Sequence, residues 1–340
     1  MNKQERSIIS LRGIMALLIV WHHLCPFNYH YDFGNTVVLF FFMLSGFGIT
    51  ISYKDKVQEA GIFKTFIHKR ISKLFPIQWL AVLATIILIY PWVPWKLLPF
   101  DLTLTQSWIP IDISMDINKG AWFLSSIFFC YIVSIPLLRI ANANLKLFTI
   151  SWIILNTLWC LGIYILYHKL NNGLSIWMFY INPLGRVLDF SGGILFGYYW
   201  SKNINRIKTS LNTTIWSILE IISVLAFITV IIYYEPFDGF RDYRSLRYPI
   251  VLLLIMTFSA NQGVISKLIS NCILHFIGII SMEIYMIHNI VIQALISYTL
   301  HPIPIYAITI FLSWILSKFY QPQMERFINS KIKLIIWPIH

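Results

Sequence analysis

The sequence predicts an all-α polytopic membrane protein with about ten transmembrane helices and both termini in the cytoplasm. Only 12% of its 340 residues are charged, whereas soluble globular domains carry about 25%. Hydrophobic residues make up 58% of the chain, which excludes intrinsic disorder. The apolar runs are long, continuous and rich in Ile, Leu and Phe. Such runs are typical of membrane helices and not of the short alternating strands of a membrane barrel.

Ten segments are apolar enough to cross a bilayer, for which about 20 residues are needed. They are 8–25, 35–52, 76–93, 120–140, 147–167, 177–200, 213–234, 247–264, 272–298 and 303–320. No small-residue cleavage site follows the first segment, so we expect a retained helix and not a signal peptide. Pro76 is expected to start the third segment, because proline is tolerated in a first helical turn. We treat residues 1–340 as a single membrane domain with no appended soluble domain.

The net charge of +12 follows the predicted topology. With both termini inside, 18 of the 26 Lys and Arg residues lie in cytoplasmic segments, six lie outside, and Arg12 and Arg186 lie within spans. This positive-inside bias predicts contact with membrane lipids and no nucleic-acid partner. The acidic 94–118 loop and three arginines near the 235–247 loop are expected to frame an outer entrance. The four cysteines are scattered, so we expect neither a disulfide framework nor a metal site.

Ionisable residues within spans are costly in lipid and by default mark function. Arg12 and His23 are eleven residues apart, about 16 Å along a helix and on nearly the same face. His22 points to another face. Each residue alone is also compatible with a snorkelling or interfacial position. The other ionisable residues within spans are Arg186, Asp189, Glu220, Glu283 and His288.

Two further groups of residues within spans are consistent either with a functional site or with helix packing. Arg186 and Asp189 are spaced i,i+3 and can pair on one helix face, next to glycines that allow close helix approach. Ser281, Tyr285 and His288 share one stripe of the ninth segment, which suits interhelical hydrogen bonding as well as a binding site.

The basic run Lys69, Arg70 and Lys73 lies just before the predicted third segment. One interpretation is anchoring on anionic lipid. The other is a basic mouth that collects a phosphate-bearing cofactor from the cytoplasm.

Six phrases occur in order along nearly the whole chain: LRGIMALLIVWHH, FFFMLSGFGIT, KRISKLFP, GAWFL, RVLDFSGGILFG and SMEIYMIH. With these phrases the sequence resembles the acyltransferase-3 family of integral membrane carbohydrate O-acyltransferases. The resemblance implies a multi-pass protein of the bacterial cytoplasmic (inner) membrane. It implies O-acetylation with cytoplasmic acetyl-CoA as acyl donor. The implied acceptor is a hydroxyl of a cell-surface polysaccharide or its lipid-linked precursor.

The resemblance also assigns roles to residues. The family's Arg-x10-His signature maps onto Arg12 and His23, with His23 as the expected general base and an acyl-histidine as the alternative. Arg12 is expected to be catalytic together with His23 and to hold the donor near its phosphate or thioester. The family's Arg-Arg-x-x-Arg motif maps onto Lys69, Arg70 and Lys73, which are expected to gather the CoA phosphates. Only the middle position keeps arginine, so the charge survives but the bidentate geometry does not.

A second set of residues is expected to line the reaction chamber. It comprises Ser45, Trp122, Arg186, Asp189, Tyr285 and His288. Asp189 can pair with Arg186 or orient a histidine, and Trp122 also fits an aromatic belt at the outer surface.

Two departures from one branch of the family place the chain in a shorter branch. Ile127 stands where that branch has a glutamate, and FYQP, with Gln321 before Pro322, stands where that branch tends to have a Glu-x-Pro phrase. These departures put the class of acceptor in doubt. The alternatives are transfer of succinyl or another acyl group, and a non-enzymatic glycan or lipid transporter. A transporter often shows half-to-half repeats, which the sequence does not display.

Overall fold

The structure is a computed structural model that describes residues 6–24, 34–89, 93–110, 117–166, 169–170, 172–233, 244–295 and 301–336. Its regular elements within these ranges are helical. The α-helices are α1 (Arg6–Leu24), α2 (Gly34–Tyr53), α3 (Ile62–Ile89), α4 (Leu98–Thr103), α5 (Trp122–Ala143), α6 (Leu145–Leu166), α7 (Asn172–Ile176), α8 (Pro183–Ser210), α9 (Thr213–Tyr233), α10 (Arg244–Ala260), α11 (Val264–Ile269), α12 (Cys272–Ile279), α13 (Ser281–Leu295), α14 (Pro302–Ile315) and α15 (Gln321–Ile336). Short 3₁₀ turns lie at Trp95–Leu97 and Gln106–Trp108, and π-helical turns at Trp177–Ile181 and Leu316–Tyr320.

The helices confirm the predicted all-α membrane class. Within the described ranges, seven helices are long and apolar enough to cross a membrane, and an eighth span results if α12 and α13 count as one. The helix α8, which carries Arg186 and Asp189, is not among the seven, and α10 is apolar but shorter. All ten predicted segments fall mainly on helix where they are described. The count of ten and the cytoplasmic termini stay predictions.

Pro76 lies inside α3, so the prediction that it starts the third span is wrong. A proline in a helix interior leaves the carbonyl four residues earlier, here that of Ser72, without its N–H partner. The Gln321 side-chain amide donates to the carbonyls of Ser72 (3.5 Å) and Lys73 (2.6 Å). The Tyr320 hydroxyl donates to the carbonyl of Pro76 at 2.9 Å. Contacts from the end of the Leu316–Tyr320 turn and the start of α15 therefore support the backbone of α3 around Pro76.

Helices α2 and α8 cross closely because glycines face the opposite backbone. A Cβ atom at Gly46 would overlap the carbonyl oxygen of Phe190, and one at Gly193 would overlap that of Met43. The close helix approach that the glycines predicted is confirmed. It places α8, with its ion pair, directly against the FFFMLSGFGIT helix.

Helices α12 and α13 form a bent pair, with an angle of 72° at the break between its halves. Helix α1 contacts both halves. Gly278, near the end of α12, lies so close to α1 that a Cβ atom there would overlap the carbonyl oxygen of Ile9. The break gives α1 two differently oriented neighbours, one near each of its ends.

The described segment 93–110 folds back against α3. The Gln78 side-chain amide donates to the carbonyl of Asp101 at 3.1 Å, and the indole of Trp79 donates to the carbonyl of Leu102 at 2.9 Å. Gln78 lies eleven residues, about 16 Å, before the last residue of α3. The segment therefore runs back alongside α3, away from the C-terminal end of that helix.

The prediction that Asp101 frames an open entrance is wrong, because its side chain is fully buried in this segment. Burial raises the pKa of its carboxyl to about 7. Arg247, another residue assigned to the entrance, is buried on α10. Asp112, Asp116 and Arg241 lie outside the described residues.

Candidate active site

Arg12 connects α1 to the bent pair of α12 and α13. Its Nε and Nη2 atoms donate to the carbonyl oxygen of Gly278 at 3.1 and 2.5 Å. The carbonyls in the last turn of a helix lack intrahelical partners and carry partial negative charge. The guanidinium satisfies one of them at the break, so Arg12 has a structural role in addition to the predicted catalytic one.

A cavity of about 610 Å³ lies beside Arg12, within the size range of small-molecule sites. Its polar lining includes Arg12, Ser45, Arg70 and Lys208. Its apolar walls come mainly from α1, α2 and α8. The cavity brings together the first-helix arginine, the predicted chamber serine and the central residue of the basic run.

Of the basic run, only Arg70 lines this cavity. Its guanidinium lies over the rings of Phe66 and Tyr131, with its Cζ 4.9 and 4.7 Å from their centroids. Its Nε has no hydrogen-bond acceptor among the described residues, although it is buried. Lys69 and Lys73 are exposed and do not line this cavity. Lys73 still interacts electrostatically with Arg12 and Arg70, and the joint role of the three residues stays a prediction.

Sequence reasoning gave no role in the site to two charged residues, Lys208 and Glu283. Lys208, in the last turn of α8, is one of many basic residues after a span, and nothing in its pattern distinguishes it. Glu283 was named as an ionisable residue within a span but was assigned no role. It is buried and interacts electrostatically with Arg12 and Lys73. The position of Glu283 depends on the break before α13, which no sequence pattern predicts.

His23 ends the same helix that carries Arg12, as the spacing predicted. Its imidazole is exposed on one side and faces His288 of α13 on another, with ring centroids 5.0 Å apart. His288 is fully buried, and its Nδ1 lies 2.6 Å from the carbonyl oxygen of Tyr285. The structure therefore joins the predicted base to the predicted ninth-segment stripe.

His22 points elsewhere, in agreement with the sequence. Its ring packs against Gly34 at the start of α2, where a Cβ atom would come within 2.7 Å of the imidazole. The two neighbouring histidines have different surroundings. Within the described part of the chain, His23 is the one of the two whose ring contacts that of His288.

Aromatic residues continue from the histidines into the bundle. The ring of Tyr285 lies 4.7 Å from that of Phe123, and the ring of Trp122 lies 4.8 Å from that of Tyr180. Trp122 is only 6% exposed. The aromatic-belt interpretation of Trp122 is therefore wrong, and its indole belongs to the interior wall that was the alternative prediction.

Arg186 and Asp189 form the predicted ion pair, with Nη1 and Oδ2 2.8 Å apart and both side chains buried. The hydroxyl of Tyr248 donates to the other carboxylate oxygen at 2.6 Å. These contacts favour the ion pair over the alternative in which Asp189 orients a histidine. The Arg186 guanidinium also lies 5.4 Å from the Trp122 ring centroid. The ion pair therefore packs against the aromatic residues that include Trp122.

Glu220, one of the buried charges that suggested function, has a structural role. Its carboxylate accepts hydrogen bonds from the backbone N–H groups of Gly263, Ile265 and Ser266. These are donors at the start of α11 that the helix itself leaves unpaired. Glu220 therefore caps α11 from the neighbouring α9.

A family model described as an acyltransferase domain, acyltransferase family 3, matches residues 5–318. The chain belongs to the acyltransferase-3 family. Among curated proteins it is similar to acyltransferase MdmB of Streptomyces mycarofaciens, with 29% identity over 147 residues. That alignment covers 37% of this acyltransferase-family chain and 37% of its relative, so the chain spans well under half of the curated protein it matches. No solved structure matches the chain.

Proposed function

We propose that this membrane protein transfers an acetyl group from cytoplasmic acetyl-CoA to a hydroxyl of a cell-surface polysaccharide or its lipid-linked precursor. The proposed location is the bacterial cytoplasmic membrane. Family membership supports acyl transfer. The observation that carries the proposal is the arrangement along α1: a basic cavity at Arg12 and a histidine pair at His23 lie eleven residues, about 16 Å, apart.

The cavity suits the anionic part of the donor. Arg70 offers an Nε donor that no described residue accepts, and charge-assisted bonds from arginine to phosphate are strong. Arg12 and Lys208 add positive charge, and Ser45 adds a hydroxyl. With the CoA phosphates here, the extended arm of the donor is positioned to run along α1 toward His23.

The chemistry requires a base for the acceptor hydroxyl and stabilisation of the tetrahedral oxyanion. In the proposed reaction His23 removes the hydroxyl proton while the acceptor oxygen attacks the thioester carbonyl. The new C–O bond forms, the C–S bond breaks, and the proton returns from His23 to the CoA thiolate. The products are the O-acetyl ester and free CoA.

The aromatic residues that extend from the histidine pair into the bundle support the proposal that the acceptor is a carbohydrate. The Tyr285 ring lies next to His288, and Trp122 connects to Tyr285 through the ring of Phe123. Aromatic faces provide rigid contact area, and Tyr and Trp keep a polar atom for hydrogen bonding. We place the acceptor between these aromatic residues and His23.

The test is the NMR spectrum of envelope glycans from strains with and without the gene. Deletion should remove one O-acetyl signal, and unchanged spectra would contradict the proposed function. Restoration with wild-type protein and with His22→Ala should return the signal, whereas His23→Ala should not, at equal protein levels in the membrane. Full restoration by His23→Ala would rule out His23 as the base.

A further inference from the structure

We propose that His288 is a positioning residue for His23: its Nε2 accepts a hydrogen bond from His23 and fixes which nitrogen of His23 meets the acceptor hydroxyl. This inference rests on the proposed acyl transfer and specifies how the same site holds its base.

The first observation is the tautomer of His288. Its Nδ1 lies 2.6 Å from the carbonyl oxygen of Tyr285. A carbonyl only accepts hydrogen bonds, so Nδ1 carries the proton and donates. In the neutral ring the lone pair is then on Nε2.

The second observation is that this acceptor is buried without a partner. His288 is 0% exposed, and its Nε2 has no hydrogen-bond partner in the described part of the chain. Buried polar atoms are nearly always paired, and an exception calls for a ligand or a functional explanation.

The third observation is the position of His23. Its ring centroid is 5.0 Å from that of His288, at an interplanar angle of 38°. At this separation a small rotation of the exposed His23 ring brings one of its nitrogens within hydrogen-bond range of Nε2. His288 is held by Tyr285, so His23 is the ring that adjusts. Among the described residues, the other aromatic and titratable neighbours are Tyr285, with its ring 5.7 Å from His288, and His22, with its ring 5.1 Å from His23.

The hydrogen bond to His288 defines which nitrogen of His23 acts as the base. A histidine that donates one N–H to His288 presents its other, unprotonated nitrogen to the acceptor. When that nitrogen takes the hydroxyl proton, the bond to His288 stabilises the resulting imidazolium. His288 stays neutral, and the proton travels from the hydroxyl to His23 and then to the thiolate. The aspartate of the Ser-His-Asp triad has the corresponding orienting role.

Two isosteric substitutions separate this role from a structural one. His288→Asn keeps an N–H donor for the Tyr285 carbonyl but has no acceptor at the position of Nε2. His288→Gln places an amide oxygen near that position. Each purified variant in lipid nanodiscs is assayed with radiolabelled acetyl-CoA and glycan from the deletion strain, and rates are expressed per monodisperse protein.

We expect His288→Asn to lower kcat by about 100-fold or more, since loss of the orienting partner in the protease triad costs about 10⁴ in kcat. The KM for acetyl-CoA and the thermal midpoint should stay at wild-type values. His288→Gln should restore kcat to within about tenfold of wild type.

Wild-type kcat in His288→Asn would overturn the inference, and so would equal losses in Asn and Gln variants that both keep their thermal midpoint. If the wild-type protein itself transfers no acetyl group to the glycan, the proposed function fails. If the wild type is active and His288→Asn is equally active, only the role of His288 fails.

Discussion

A single guanidinium, that of Arg12, donates two hydrogen bonds to the carbonyl oxygen of Gly278. The donor is on the first helix and the acceptor lies one residue before the end of α12. Because Arg12 also lines the basic cavity, the break between α12 and α13 determines where its charge is held. Arg12 therefore couples the fold of the bent pair α12–α13 to the proposed donor site.

Arg12→Lys should impair both functions of this side chain. Lysine keeps the charge but loses the planar fork that reaches the Gly278 carbonyl. We expect kcat/KM for acetyl-CoA to fall at least about tenfold and the thermal midpoint to fall by a few degrees, because an unsatisfied buried acceptor costs about 1–3 kcal/mol. Arg6→Lys, at an exposed position of the same helix, is the matched control. Wild-type kinetics in Arg12→Lys would contradict the coupling.

Arg70→Ala should chiefly raise the KM for acetyl-CoA. The substitution removes the cavity's only cation from α3 in the described structure, and with it the Nε donor proposed to bind phosphate. An increase of about tenfold corresponds to about 1.4 kcal/mol of lost binding. Lys64→Ala, at an exposed position on the same helix, is expected to leave KM unchanged. An unaltered KM in Arg70→Ala would remove this residue from the donor site.

Gly193→Ala should destabilise the α2–α8 crossing. The new Cβ atom overlaps the backbone of Met43, which cannot rotate away as a side chain can. Overpacking of this kind costs about 1–3 kcal/mol. Gly162→Ala is the control, because a Cβ atom there meets nothing within 4 Å. Thermal unfolding in detergent should show a lower midpoint for Gly193→Ala only, and equal midpoints would refute the close crossing.

Asp101 should make stability fall as pH rises. Its carboxyl titrates near pH 4 when unfolded and at about 7 when folded, owing to burial. The folded state holds the proton more tightly, so this contribution is complete below pH 4 and is lost as pH rises through about 7. Asp101→Asn should remove this dependence and raise the thermal midpoint at pH 8. Asp55→Asn, at an exposed carboxylate, should not. A wild-type midpoint that does not fall between pH 5 and pH 8 would contradict the burial.

The helical membrane class and the pairing of Arg12 with His23 on one helix were predictable because they depend on local composition and period. Arg186 and Asp189 were predictable for the same reason, since i,i+3 spacing alone brings them together. The approach of His288 to His23 was not predictable, because it joins residues 265 positions apart through tertiary packing.

The wrong predictions share one cause, which is that tertiary contacts replaced a local rule. Pro76 fails to start a helix because Gln321 and Tyr320 support the backbone around it. Glu220 looked functional because its three partners lie more than 40 residues away. Asp101 looked exposed because a loop sequence does not show that it folds back against α3.

The contacts from Tyr320 and Gln321 to α3 also limit where the expressed sequence can be truncated. The family match ends at residue 318, two residues before the first of them. An expression clone trimmed to the family boundary would remove the donors for the backbone of Ser72, Lys73 and Pro76 while leaving every proposed site residue in place. The minimal unit that folds around the donor site is therefore longer than the minimal unit that the family match defines.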